Sequence, residues 1–486
     1  MITVIDAIMG SGKTTYMTKR MNELHTEALA QSFADPSHEA PRFLYVTPIL
    51  TEVERIRKEC PNLDFRDPKP VGGKKLNHLF HLIEEGVNIC TTHALFKLLN
   101  RKVYEKFRDR NYTLVIDEAL ECVTLFDGLT KSDRMMLFET NKLYVETGTG
   151  RLRWNCDQEV YSGKFNQIRD LCDNGNLILF RNTVLWEFPT EFFRCFQQVY
   201  ILTYLFPGSP MSAHLRADGL RYELMTLTSE DQLMSQEEDK GKADAEAKEK
   251  YRKLITIYEG SANACGKPKG KENPFSSGWY DRQKPDDFAK LKATLENWFR
   301  KVARTPSRHN AWTAYQKGEK HLRGDRYANG FIECNAKGTN DHIERRSLAY
   351  LCNVFYNPVI KAYFQQRGIE VDEGAYALSE MIQWIWRSQI RRYDPITVFI
   401  PSERMRSLFI DWIDNTVVTR GVRRLQKAVE ARDVSQPETH SANAAEPACN
   451  AQAWDEAQSD SQATVLHMPK TIGRKLSLAE AMRRHE

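Results

Sequence analysis

Two stretches of the chain hold residue types whose spacing permits phosphate chemistry. Ala7-Ile8-Met9-Gly10-Ser11-Gly12-Lys13-Thr14-Thr15 follows the apolar run Ile2-Thr3-Val4-Ile5. A buried strand running into a glycine-rich turn, with a helix opening near Lys13, turns successive backbone N–H groups into one concavity. The positive end of that helix faces the same concavity, which makes an anion site. Gly10, Ser11, Gly12, Lys13, Thr14 and Thr15 are assigned to it. Lys13 is placed to reach β- and γ-phosphates, and the Thr14 hydroxyl to hold Mg²⁺. The second stretch, Asp117-Glu118-Ala119-Leu120, follows the apolar run Thr113-Leu114-Val115-Ile116. Asp117 at such a strand end can hold Mg²⁺ through its water shell, and Glu118 can orient and deprotonate an attacking water. An Asp-Glu pair alone is common. Placed one strand end from a phosphate loop it is specific, and the expected cofactors are ATP and Mg²⁺.

The elements that must position these groups read as a parallel α/β fold. Phe43-Leu44-Tyr45-Val46 is a strand ending in Thr47-Pro48, and a helix follows from Leu50 to Arg57. Asn88-Ile89-Cys90 runs into Thr91-Thr92-His93, and Gln198-Val199-Tyr200-Ile201-Leu202 ends in Thr203. Short apolar β-rich runs alternating with helices gather their functional groups at the carboxyl ends of the strands. Leu143-Tyr144-Val145 and Leu152-Arg153-Trp154, flanking Gly148-Thr149-Gly150, predict a β-hairpin added to that sheet.

Composition shifts at Pro207-Gly208-Ser209-Pro210, which sets a boundary between residues 1–207 and 208–425. The second pattern opens with a strand-like Arg221–Leu227 and a densely charged Ser229–Lys253, read as a solvated loop or helix. Leu254–Tyr258, Phe331–Cys334 and Ile396–Ile400 read as further strands. Lys267, Lys269 and Lys271 precede Phe275, Trp279 and Tyr280, a pattern open to stacking on a single strand or to an ordinary surface loop. Phe288, Leu291, Leu295, Trp298 and Val302 make one apolar helical face, with Asp286 set to cap it. Residues 426–486 are poor in large apolar side chains and are expected to be a disordered tail.

In order and spacing these motifs resemble those of superfamily 2 DExD/H-type helicases. The loop reads AxxGxGKT, with Ala7 where the general pattern has Gly. Thr47-Pro48 and Thr91-Thr92-His93 resemble the two motifs that grip the nucleic-acid backbone. Such contacts reach phosphate rather than bases. Thr203 matches the motif before the second domain. Cys334–Asp341 resembles the motif that couples nucleotide to strand, with Gly338 and Thr339 on the nucleic acid and Asp341 coupling. Gln383-Trp384-Ile385-Trp386-Arg387-Ser388-Gln389-Ile390-Arg391 resembles the final motif, QxxGRxxR. There Gln383 would face the γ-phosphate, and Arg387 and Arg391 (or Arg392) would act as arginine fingers. Trp386 replaces Gly in it, and the second arginine falls one residue late. The same nine residues also fit an amphipathic helix with Ile382, Ile385, Trp386 and Ile390 inward. The compact start, DEAL box and Trp-rich final motif look most like the viral and bacteriophage branch. The six residues before Ala7 leave no room for the adenine-recognising segment of DEAD-box proteins.

The resemblance implies two tandem RecA-like domains and a nucleic-acid-dependent ATPase that moves along or unwinds a strand in phage replication or recombination. DNA, single-stranded or branched, is the expected partner. A phage DNA-packaging ATPase would share the loop and the acidic pair, and an ATP-binding replication adaptor would use the tail to recruit a replication or recombination protein. A net charge of +4 over 486 residues requires any basic binding surface to be local. No apolar run has the length of a membrane span, and no secretory signal precedes the first strand, so a cytoplasmic protein (host cytoplasm for a phage) is expected. Ten cysteines without a CxxC pair predict reduced thiols rather than disulfides or zinc.

Overall fold

A computed structural model of the protein describes residues 1–35, 39–72, 74–155, 161, 163–335 and 342–414. Ile2–Asp6 is buried at every position, so both faces of this strand are covered and parallel neighbours are the natural solution. It lies inside a seven-stranded sheet. From edge to edge the strands are Leu233–Ser235, Glu223–Leu227, Ile2–Asp6, Gln198–Thr203, Tyr112–Asp117, Arg42–Thr47 and Ile89–Thr92. All neighbours pair in parallel except Leu233–Ser235, which is antiparallel. Asp6 pairs with Thr203 and Leu202 with Asp117, so the strand ends expected to carry chemistry are level.

A second sheet is wholly parallel, in the order Ile255–Ile257, Ile396–Phe399, Ser347–Leu351, Asn310–Ala314. Two of its strands, Asn310–Ala314 and Ser347–Leu351, were not legible as strands. The expected strand Phe331–Cys334 is instead a single bridge from Phe331 to Trp312. The strand-like run after Arg221 belongs to the first sheet, where Thr3 pairs with Glu223, and not to the second pattern it was expected to open. An apolar alternation tells which face of a strand is buried, not which sheet receives it.

Between the strand ending at Asp117 and the strand starting at Gln198 the chain inserts a separate unit. The expected hairpin, Leu143–Val145 with Leu152–Trp154, is present there. Beside it lies an antiparallel sheet of Val123–Leu125, Thr183–Glu187 and Leu177–Phe180, and two helices, Lys131–Glu139 and Asn166–Asp173, complete the unit.

The charged Ser229–Lys253 stretch forms the helices Gln236–Asp239 and Lys242–Arg252, and the second buries Lys248 against Asp244 at 2.5 Å. Phe275, Trp279 and Tyr280 lie in the core, so they offer no stacking platform for a strand. Phe288, Leu291, Leu295 and Trp298 are buried as the helical stripe requires, but Val302 is exposed. The helix Pro285–Asn297 widens into a π-turn at Trp298–Ala303, and the longer period rotates Val302 off the stripe. The Asp287 carboxylate, rather than that of Asp286, accepts the amide of Lys284, the residue just before the helix, at 3.2 Å. The eight described cysteines are free thiols, and no described helix is long and apolar enough to cross a membrane.

Candidate functional site

Gly10 and Gly12 take left-handed φ values of +83° and +87°, the conformation that curls the loop before the helix Lys13–Ala34. The Lys13 ammonium donates to the carbonyls of Ala7 at 2.5 Å and Ile8 at 3.0 Å, which holds it inside the curl. Desolvation lowers Lys13 to about 8 against the pull of Asp117, Asp6 and Glu118. Two strands away across the level sheet end, beyond Gln198–Thr203, Asp117 Oδ2 accepts the Thr14 hydroxyl at 3.3 Å and the Tyr45 hydroxyl at 3.1 Å. A hydroxyl and a carboxylate converging in this way suit a hard, oxygen-seeking cation such as Mg²⁺. Burial raises the Asp117 carboxyl, with Tyr45 and Lys13 opposing. Glu118 has φ +65°, rare for a residue with a side chain, and its N–H donates to Leu202 O at 2.9 Å. Strain of this kind persists where the surroundings hold it and is concentrated at working sites.

The other expected residues fall at several distances from this centre. His93 is buried and its Nε2–H donates to the Asp117 carbonyl at 2.8 Å, so it supports the acidic pair. Thr47 and Thr91 are buried at the ends of their strands. The Thr92 hydroxyl accepts the Leu95 amide at 3.4 Å, the N-cap of a short helix. Pro48 is half-buried beside Thr47. Thr203 is buried and its carbonyl accepts the Ala7 amide at 3.1 Å. Gly338, Thr339 and Asp341 lie outside the described residues, as does the tail from residue 415.

From the second sheet's side, the helix Glu373–Ile385 ends at Trp386, and a short 3-10 turn follows at Gln389–Arg392. Ile382, Ile385, Trp386 and Ile390 are inward, as the amphipathic reading required, but the helix does not run through them all. The break frees Arg387, which is only 7% exposed and has no hydrogen-bond partner at Nε. Burial lowers its pKa, and the Glu118 and then Glu380 carboxylates oppose that shift, so Arg387 lies within electrostatic reach of the acidic pair. Arg391 is near enough to Lys13 for their like charges to interact. Gln383 donates to Ser379 Oγ at 3.2 Å, and Ser379 donates to the Tyr204 carbonyl at 3.4 Å, so Gln383 addresses the loop after Thr203.

Asp6 and Tyr45 were not expected here. Asp6 is buried beneath Lys13, with Oδ2 accepting the Phe206 amide at 3.3 Å and Oδ1 without a partner. Desolvation, then the neighbouring Asp244, pushes it up to about 7. A polar residue closing an otherwise apolar strand run was the one available signal. A second polar cluster sits where the inserted unit meets both sheets' halves. Glu187, His214 and Asp218 place ligand atoms within 4.8 Å of one another. Their oxygens are already taken: Glu187 by Arg151 at 3.0 Å and by Tyr363, Asp218 by Arg367 and by Thr190 at 2.5 Å. Two guanidinium groups answering two carboxylates make this an ion-pair lock rather than a metal centre.

Residues 126–186, most of the inserted unit, match the YonV middle domain, and residues 249–413 match the YonV C-terminal Rossmann-like domain. The chain is also 36% identical over 425 residues to the "SPbeta prophage-derived uncharacterized protein YonV" of Bacillus subtilis (strain 168). That alignment covers 85% of this chain and 99% of the prophage protein. With both domain models and nearly the whole of that relative aligned, the chain belongs to the prophage-associated YonV family.

Proposed function

We propose that the protein is an ATP-dependent nucleic-acid helicase or translocase with two RecA-like domains, acting on DNA in phage replication or recombination. The observation that carries this reading is that Arg387 and Arg391, beside the second sheet, lie within electrostatic reach of Glu118 and Lys13, next to the Thr14–Asp117 pair of the first. Lys13 and the loop amides bind the phosphate chain. Thr14 and Asp117 would hold Mg²⁺, which supplies charge neutralisation at the β- and γ-oxygens. Glu118 orients the water and takes its proton. Arg387 and Arg391 stabilise charge on the transferring group once the halves close. Closure is transmitted through Gln383, Ser379 and the Tyr204 carbonyl to the strand end at Thr203. Of the strand-end residues assigned to the nucleic-acid backbone, Thr92 and Pro48 are half-buried and remain on that path, whereas Thr47 and Thr91 are buried and would act only by supporting it.

The test is ATP turnover against a panel of single-stranded DNA, duplex, forked DNA and RNA. Stimulation by DNA, strongest with single-stranded or forked forms and independent of sequence, is the expected result. Turnover indifferent to every nucleic acid would overturn the motor reading. A packaging ATPase shares the same site, and metal-dependent DNA cleavage by residues after Thr339 would favour it.

A further inference from the structure

The groups assigned so far address phosphate, water and metal, and none addresses a base. One aromatic ring beside the phosphate loop serves neither the core nor that chemistry. Tyr393 is 51% exposed, whereas its neighbours Tyr251 and Trp386 are buried. Among the described residues the other exposed aromatic side chains, Phe33 and Tyr144, sit on the far end of the first helix and in the inserted hairpin.

Tyr393 lies flat on Tyr251, with ring centroids 5.3 Å apart and planes 6° from parallel. Tyr251 is fixed in turn: its hydroxyl donates to the Met9 carbonyl at 3.2 Å, and Trp386 meets it edge-on at 4.8 Å. A Cβ at Gly10 would come within 3.0 Å of that hydroxyl, so the stack abuts the loop itself. The backbone of Tyr393 is left-handed (φ +61°, ψ +31°), and its N–H donates to Ile390 O at 2.9 Å to close the turn. A bulky residue in that region is uncommon and marks a position held by its surroundings. Arg391, two residues earlier, already interacts with Lys13.

We propose that Tyr393 is the nucleobase-stacking residue of the site: the base of a bound nucleoside triphosphate packs on the ring face turned away from Tyr251. The proposal rests on the nucleotide reading above. Stacking uses the π-face that every base has and reads no hydrogen-bonding edge. ATP and GTP should therefore bind alike, and UTP, with its smaller ring, more weakly. The phenol hydroxyl is not required.

The experiment is titration of the full-length protein, its Tyr393→Ala variant and its Tyr393→Phe variant with ATP, GTP and inorganic tripolyphosphate in the presence of Mg²⁺. The exposed position lets both variants fold. Tyr393→Ala should weaken ATP and GTP by about 5- to 150-fold and leave tripolyphosphate unchanged, while Tyr393→Phe stays near the parent. ATP bound equally by parent and Tyr393→Ala would overturn stacking and leave the phosphate site standing. An equal loss for ATP and tripolyphosphate would also overturn it, because Tyr393 would then act on the loop through Tyr251. A parent protein that binds neither ATP nor tripolyphosphate would overturn both this proposal and the nucleotide reading.

Discussion

In the proposed mechanism Lys13 and Glu118 do different work, and their variants should separate. Lys13→Ala removes the cation that the Ala7 and Ile8 carbonyls hold inside the loop, so both ATP binding and turnover should be lost. Glu118→Gln keeps Thr14 and Asp117 in place and removes only the base. It should bind ATP and fail to hydrolyse it, by equilibrium binding and phosphate release. Near-parent turnover in Glu118→Gln would show the acidic pair misassigned. Asp6 makes a second prediction. Folded, it holds its proton to about pH 7, against an ordinary value of 3.8. Between these values the unfolded chain has released a proton that the folded chain retains, so stability falls as pH rises through this window and levels off above it. Three pH units correspond to at most about 4 kcal/mol. Asp6→Asn should flatten this slope in denaturation experiments between pH 4 and 8, and an unchanged slope would exonerate Asp6. The curl of the loop at Gly10 and Gly12 and the approach of Thr14 to Asp117 were legible in the sequence because each follows from a fixed local spacing at a strand end. Tyr45 and Asp6 were not, because what brings them to Asp117 and Lys13 is the register of neighbouring strands.

At the scale of elements, the inserted unit is held by the Glu187 lock. Its carboxylate is fully buried between Arg151, Tyr363 and Arg367. Glu187→Ala leaves the part-buried Arg151 without its carboxylate, although Arg367 keeps Asp218, and should cost about 1–3 kcal/mol in chemical denaturation. Glu187→Gln, which keeps an acceptor for Tyr363, should cost less. A loss below about 1 kcal/mol for the alanine variant would mean that the lock relaxes into solvent. The sequence announced the hairpin through its glycine turn but hid the three-stranded sheet beside it. Those strands are short, and their register is set by packing against the helices Pro210–Ala217 and Pro358–Gln366. The helix break after Ile385 was hidden for a similar reason. Its apolar spacing fits a continuous helix, and only the tertiary setting ends it.

At the scale of the molecule, Arg387 tests whether the two sheets act together. It comes from outside the loop's own sheet and lies within electrostatic reach of Glu118. Arg387→Ala should leave ATP binding almost intact and reduce turnover by about 10³–10⁵-fold, abolishing nucleic-acid stimulation with it. Arg387→Lys should rescue poorly, since an ammonium lacks the planar fork. Parent-like turnover in Arg387→Ala would reduce the residue to a buried structural cation. Two parallel sheets were legible from alternating apolar runs and helices, but the membership of Glu223–Leu227 was not.

That strand has a consequence for how the molecule is assembled. Ile2–Asp6 pairs on one side with Gln198–Thr203 and on the other with Glu223–Leu227, and with nothing nearer along the chain. Contacts this distant close large loops before they return any stabilisation, which makes such sheets slow to form. Until both later strands have been synthesised, this strand, buried at every position in the finished sheet, keeps at least one edge unpaired, the kind of surface that invites aggregation. The phosphate loop follows that strand directly, so its curl has no fixed base until then. Nucleotide binding by nascent or truncated chains should therefore switch on abruptly, once Leu227 has left the ribosome, rather than grow with length.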